Sequence, residues 1–259
     1  MSTLTYAIAD NVTMVRRSLL HAKRYPSMTF SIIIMPIILL AVFNYVFGGA
    51  LGPALGQNGG NYIDYLAPGM MLLLPAYVTV GVAVSVATDM SKGVINRFRA
   101  MSINQASVLT GHVVGALLQG LLGIAAMTGV AMLMGFRPSA SPIEWLALTG
   151  LLVFLTVALL WLAVAMGLVA ANPEGASNML MPVLMLPFLG SGLVPTDTMP
   201  AGLRHFAELQ PFTPLTETVR GLLMGTEISS NGIIALAWCA GIAAAGYTWS
   251  VVAYRRRYT

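Results

Sequence analysis

The chain has 259 residues; 57% are apolar and only 8% are Asp, Glu, Lys or Arg, against roughly 45–50% and about 25% in an ordinary soluble domain. Thirteen basic and nine acidic residues leave a formal net charge of +4, so the placement of the basic residues matters more than their sum. These values exclude a cytosolic enzyme, a disordered tail and a nucleic-acid-binding domain, and leave an integral membrane protein.

From the N-terminus, Leu4, Ile8, Val12, Val15 and Leu19 fall at helical spacing, with Arg16, Arg17, Lys23 and Arg24 close by. No continuous apolar run of the signal-peptide kind is present there. The pattern predicts an amphipathic helix on the cytoplasmic membrane surface, stopped at Pro26; a frayed basic tail is the alternative. Charge-free stretches long enough to cross about 30 Å of hydrocarbon then follow at residues 28–47, 65–88, 108–136, 145–171, 175–196 and 228–254. The expected fold is therefore all-α, with six transmembrane helices, because backbone groups in lipid must be satisfied within their own segment. Pro182 and Pro187 interrupt the fifth stretch, and Asn178 and Ser191 lie within it.

Ten of the thirteen basic residues lie before the first span, between the second and third, or after the sixth, leaving Arg137, Arg204 and Arg220 on the other side. The positive-inside rule then puts both termini in the cytoplasm, as an even number of spans requires.

Between the second and third spans, the segment 89–110 mixes Val94, Ile95, Phe98 and Met101 with Lys92, Arg97 and Arg99. A short helix here presents an apolar and a cationic face, suited to docking on a soluble partner or lying on anionic lipid. Simple topology determination accounts for the same charges. The turn 172–175, with Glu174, lies on the same side. After the fifth span, residues 198–225 are too charged to cross. Pro200, Pro211, the Thr213–Pro214 pair and Gly225 punctuate two short helices. Leu203, Phe206 and Leu209 share one side of the first, and Leu215, Val219, Leu222 and Leu223 one side of the second. This predicts an outer re-entrant hairpin, with an exposed Glu217–Arg220 pair worth about 0.3–0.5 kcal/mol.

Several chemistries are missing. Only Lys23 and Lys92 are present as lysines, and neither follows a glycine-rich phosphate loop. His21, His112 and His205 are scattered, and the single Cys239 can neither pair within the chain nor build a metal site. No carboxylate lies inside a span, which argues against an ion-coupled carrier. Glycine pairs at 111/115, 48/52 and 221/225 match the small-residue spacing of packed membrane helices. Methionine-rich stretches around 70–71, 127–134 and 179–185 suit adaptable packing or varied apolar cargo.

The run DMSKGVINRFRAMSINQASVLTG at 89–111 and LPFLGSGLVPTDTMPAGLRHFAELQPFTPLTETVRGLLMG at 186–225 resemble the type-2 ABC transporter permeases of the daunorubicin- and oleandomycin-resistance kind, in order over nearly the whole chain. Two positions depart from that pattern: Ser102 stands where the family often has proline, and Gln105 where a basic residue is common. The resemblance implies a connecting helix at 1–26 and a six-helix transmembrane domain at 27–259. It implies a coupling helix at about 89–105 whose Lys92, Gly93, Val94, Arg97, Phe98 and Arg99 dock on a separate ATPase, with Glu174 in a second, smaller contact.

It further implies two permeases, the second expected to be a copy of this chain, and two ATPase subunits that carry the ATP and magnesium. The chain itself is expected to hold no cofactor, to catalyse nothing and to bind no nucleic acid. Amphipathic drugs or lipids are the expected cargo, moved outward across the bacterial inner membrane. Asn44, Tyr45, Tyr77, Asn178 and Ser191 are candidate residues of the cargo pathway; each equally suits an interhelical hydrogen bond. Two readings from other classes remain: an ion-coupled secondary carrier of amphipathic solutes, and a non-transporting membrane scaffold or sensor.

Overall fold

The computed structural model describes residues 26–55, 61–92 and 105–258; the predicted N-terminal amphipathic helix and most of the 89–110 segment lie outside them. Every regular element among the described residues is helical. Helix α1, Pro26–Val42, runs on through a π-helical turn, Phe43–Phe47, and a final turn, Gly48–Leu51. Helices α2 (Tyr62–Met71) and α3 (Leu73–Ser91) form a nearly continuous rod broken at Leu72. Pro75 accounts for the break, since its ring collides with the carbonyl four residues back and its nitrogen has no hydrogen to offer. The rod is followed by α4 (Gln105–Leu133), α5 (Pro142–Val169), α6 (Pro173–Met185), α7 (Ala201–Leu209), α8 (Phe212–Met224) and α9 (Asn231–Tyr258).

Five helical segments are long and apolar enough to cross a membrane: Ile33–Leu51, Tyr62–Ser91, Val113–Leu133, Pro142–Val169 and Asn231–Arg256. They correspond to the first, second, third, fourth and sixth predicted spans. The fifth differs. Instead of one helix over 175–196, α6 has 13 residues and passes into a four-residue 3-10 turn, Leu186–Leu189. Pro182 and Pro187 each remove a backbone donor, and past Leu189 the chain is irregular until Thr196.

Helix starts follow local chemistry. At α5, Ser141 N–H donates to the Glu144 carboxylate at 2.6 Å, while Glu144 N–H donates back to Ser141 Oγ at 3.4 Å. This reciprocal cap sits just before Pro142 at the first helical position. Ser141→Ala is expected to loosen this end by about 1 kcal/mol, read as faster amide exchange over the first turn of α5 with the rest of the helix unchanged. Asn172 caps α6 by a single bond, its side-chain oxygen accepting from Gly175 N–H at 2.7 Å. Helix α8 stops at Gly225, whose φ of +67° is open to glycine at little cost, as the sequence predicts.

Helix α5 is the centre of the bundle. Its Leu151, Leu152, Leu155 and Leu159 belong to a core cluster shared with α2, α4, α8 and α9, and its Leu160, Ala163, Val164 and Leu168 to one shared with α3, α4 and α6. Buried hydroxyls turn back on their own helices, Thr79 to Pro75 O at 2.6 Å, Thr156 to Leu152 O at 2.6 Å and Thr218 to Pro214 O at 2.7 Å. These three hydroxyls are thereby satisfied without a partner from another helix, whereas among the described residues Ser191 Oγ and Arg220 Nε are buried with no hydrogen-bond partner.

The paired glycines read from the sequence differ: a Cβ on Gly48 would meet the Tyr62 ring at 3.5 Å, and one on Gly221 the Ile228 side chain at 2.6 Å. Gly52 has open space around it, whereas the lone Gly246 lies against the Trp161–Leu162 backbone. The α2, α5 and α9 starts cluster at one end of the bundle, where Arg137 N–H donates to Asp64 Oδ1 at 3.1 Å and Ser139 N–H to Leu223 O at 2.9 Å. Lys92 and the start of α6 lie at the other.

Candidate functional site

The candidate residues fall into two groups. At the Lys92 end, Lys92 closes α3 and is exposed, its N–H donating to Thr88 O at 3.0 Å. Glu174 lies exposed in the first turn of α6, and α6 packs on α3 through Ala176 and Leu180 against Val86 and Ala87. Lys92 and Glu174 thus sit on neighbouring helix ends. Gly93, Val94, Arg97, Phe98 and Arg99 lie outside the described residues.

Four pathway candidates are spread over α1, α3 and α6: α1 and α6 each pack on α3, with Asn44 and Tyr45 toward the α2 end and Asn178 near the start of α6. Asn44 and Tyr45 occupy the π-helical turn, Asn44 half-buried and Tyr45 71% exposed. Such turns interrupt the regular hydrogen-bond ladder and recur at functional sites. Met35, Ile38 and Val42 continue the exposed side of α1. On α6, Asn178 is exposed beside Met179, Met181, Pro182 and Met185. Pro182 cannot donate to the carbonyl of Asn178, so this position presents a polar side chain and a helix carbonyl on a methionine-lined face. Tyr77 on α3 is half-buried and packs against the core.

Ser191, the remaining candidate, is elsewhere. It is buried, 3% exposed, and its backbone lies in a polar clasp that ties the irregular segment after α6 to α2 and α8. At the centre of the clasp the Arg220 guanidinium stacks 3.8 Å from the centroid of the Tyr65 ring. It donates to Ser191 O at 2.8 Å, to Tyr65 O at 3.3 Å and to the Glu217 carboxylate at 2.6 Å. The Tyr65 hydroxyl donates to the same Ser191 O at 2.8 Å, and the Tyr62 hydroxyl to Leu193 O at 3.1 Å.

This corrects the expected exposed pair, because the Arg220 side chain is only 12% exposed and Glu217 is one of several partners. A desolvated guanidinium over an aromatic face contributes about 2 kcal/mol, far more than a surface pair. Gly69 and Gly192 make the clasp compact: a Cβ on Gly69 would stand 2.5 Å from Gly192 Cα.

The two helices of the predicted hairpin are present but unlike. In α8, Leu215, Val219, Leu222 and Leu223 are buried in the bundle core. In α7, Leu203, Phe206 and Leu209 are exposed, and the polar side carries Arg204 paired with Asp197 at 2.8 Å and Glu208 at 2.7 Å. Helix α7 has the amphipathic form of an interfacial helix, whereas α8 is a core element.

Several long apolar helices around one apolar core, with the polar groups gathered at the two ends, define a multi-pass membrane protein. Residues 10–224 match the ABC-2 type transporter family, and the chain belongs to that family, a permease component of an ABC transporter. It is similar to the daunorubicin resistance ABC transporter permease protein DrrB1 of Streptomyces coeruleorubidus, with 28% identity over 255 residues, 97% of this chain and 88% of that protein. It is also similar to the probable doxorubicin resistance ABC transporter permease protein DrrC of Mycobacterium tuberculosis (strain ATCC 25618 / H37Rv), with 25% identity over 254 residues, 97% of this chain and 90% of that protein.

Proposed function

We propose that the chain is the membrane half of an ATP-driven exporter that moves amphipathic drugs or lipids out of the cytoplasm or inner leaflet. The family match over residues 10–224 carries this reading, and the relatives named for daunorubicin and doxorubicin resistance support the cargo class. Energy comes from a separate ATPase, which holds ATP and magnesium. Two permeases and two ATPases make the working unit, and the second permease is another copy of this chain. Residues 1–26 form the connecting helix and 27–259 the transmembrane domain. The segment at about 89–105 docks on the ATPase through Lys92, Gly93, Val94, Arg97, Phe98 and Arg99, with Glu174 adding a second contact from the adjacent helix end.

Both termini lie in the cytoplasm, which makes the Asp64 end outer and requires a sixth crossing. The thirteen α-helical residues of α6 and the four of its 3-10 turn span about 20 Å and about 8 Å. Their sum is close to the ~30 Å of hydrocarbon. Helix α8 then closes the outer end of the bundle core, with α7 in the outer interface. Cargo passes along the sides of α1 and α6 that flank α3, with Asn44 and Tyr45 on α1, Tyr77 on α3 and Asn178 on α6 as its polar or aromatic contacts. Nucleotide-driven closure of the ATPases moves α3 and α6 as rigid rods and shifts the population between inward- and outward-facing states.

Purification in mild detergent tests the docking. The wild-type chain is expected to bring down an ATPase bearing a phosphate-binding loop, and an Arg97→Glu/Arg99→Glu variant to lose it while reaching the membrane in equal amount. An intact chain that repeatedly arrives alone would sink the proposal and favour an ion-coupled carrier.

A further inference from the structure

A groove of about 450 Å³ runs beside α7, within the range of about 300–1,000 Å³ typical of small-molecule sites. Phe206 and Leu209 of α7, Trp238 of α9 and Leu186, just past the end of α6, line it. Gly202 leaves the lip open, since nothing stands within 4 Å of where its Cβ would be. Two polar side chains reach the lining, His205 and Gln210. Gln210 is spent on the α7–α8 corner, its amide donating to Thr213 Oγ1 at 3.2 Å and its carbonyl accepting from Phe212 N–H at 3.0 Å. The lining thus offers mainly apolar contact, with the His205 imidazole as its other polar side chain.

We infer that this groove holds one acyl chain of a bilayer phospholipid, with the phosphate headgroup lying toward His205. Three features favour that occupant. Apart from His205 and the spent Gln210 the lining is aliphatic and aromatic, so it recognises length and apolarity more than a hydrogen-bonding pattern. The groove opens beside the exposed apolar face of an amphipathic helix, where the bilayer supplies such chains. Trp238 lies seven residues into α9, about 10 Å below its start, at the depth where acyl chains begin and tryptophan is enriched. The retained lipid acts as a wedge that seats α7 against α9 where the fifth predicted span gives way to irregular chain. The inference rests on the membrane placement proposed above but not on cargo, ATPase or direction of transport.

The test uses the full chain in nanodiscs containing phosphatidylcholine with a photoactivatable diazirine on its acyl chain, with no ATP and no partner. Labelling is expected to concentrate on Phe206, Leu209 and Trp238. Gly202→Phe, which fills open space, is expected to lower it about tenfold at those residues, the effect of removing a few methylenes of apolar contact, while Ile233 and Leu236, exposed on α9 and outside the groove lining, keep their label. Leu209→Asn, at a side chain already 61% exposed and so harmless to the core, is the second variant and is expected to act in the same direction.

Even labelling along the outward side of α9, indifferent to both variants, would overturn the inference and leave ordinary surrounding lipid. Displacement of the groove label by a planar cationic amphiphile but not by excess unlabelled phosphatidylcholine would also overturn it, reassigning the groove to cargo. A chain that binds no ATPase can still pass this test, so its failure and that of the exporter reading are distinct.

Discussion

Arg220→Ala is expected to destabilise the chain by about 3 kcal/mol, the low end of the range for breaking a buried ion pair. The loss is large because four partners depend on one guanidinium: the Tyr65 ring, Tyr65 O, Ser191 O and the Glu217 carboxylate. It stays at the low end because Glu217 is 35% exposed and can turn to water once abandoned. In a chain of this size that corresponds to a fall of roughly 6–12 °C in the thermal midpoint, measured in detergent micelles. Tyr65→Phe keeps the ring under the cation and removes only the 2.8 Å bond to Ser191 O, so about 1 kcal/mol is expected. Arg220→Met/Glu217→Leu, which removes both charges and restores bulk, is expected to recover part of the loss, since an apolar replacement of a buried pair is often neutral. Equal midpoints for Arg220→Ala and the wild type would mean that the clasp contributes nothing to stability.

The spans were legible because the signal for a membrane helix is composition over about 20 residues, and composition survives without any tertiary information. Five of the six apolar stretches correspond to long helices for that reason, and the glycine and proline punctuation located the α7–α8 corner and the stop at Gly225. The fifth stretch is as free of charge as the others, but length and apolarity do not tell whether Pro182 and Pro187 bend a helix or end it. Here the second one coincides with the end, because Gly190 and Gly192 let the following chain pack on α8 and α2.

The clasp was illegible for a different reason. Arg220 bonds to the backbone carbonyls of residues 65 and 191, which are 155 and 29 positions away, and any residue type carries a carbonyl. Only Glu217, three residues before Arg220, was within reach of a local reading, so the pair was found and its burial was not. Among the pathway candidates, Asn44, Tyr45 and Asn178 stood out as polar or aromatic groups in apolar runs. The π-helical turn that gathers the first two has no sequence signature. The docking residues rest on the resemblance and the family, since of the coupling residues only Lys92 is among those described.

Gly167→Leu and Gly150→Leu put the same side chain on the same helix and are expected to have opposite outcomes. A Cβ on Gly167 would stand 2.7 Å from the Ala83 carbonyl oxygen and 2.9 Å from Val86 Cβ. Neither is the far end of a flexible side chain, so α3 and α5 must move apart, and the cost is expected at or above the upper end of the usual 1–3 kcal/mol for overpacking. Gly150 has nothing within 4 Å of its Cβ position. A leucine there adds apolar surface on an exposed face and relieves a glycine in a helix interior, worth up to about 1 kcal/mol in the stabilising direction.

The difference is also expected to reach function, because α3 packs on both α1 and α6 and leads directly into the 89–105 segment. Wedging α3 away from α5 at Gly167 is expected to abolish cargo-stimulated ATP hydrolysis in the reconstituted transporter, even where the variant is made stable enough to purify, while Gly150→Leu retains it. Thermal midpoints within a degree or two of each other for the two variants would refute the tight α3–α5 approach. Full coupling in a destabilised Gly167→Leu would show that the approach holds the fold together without transmitting the stroke.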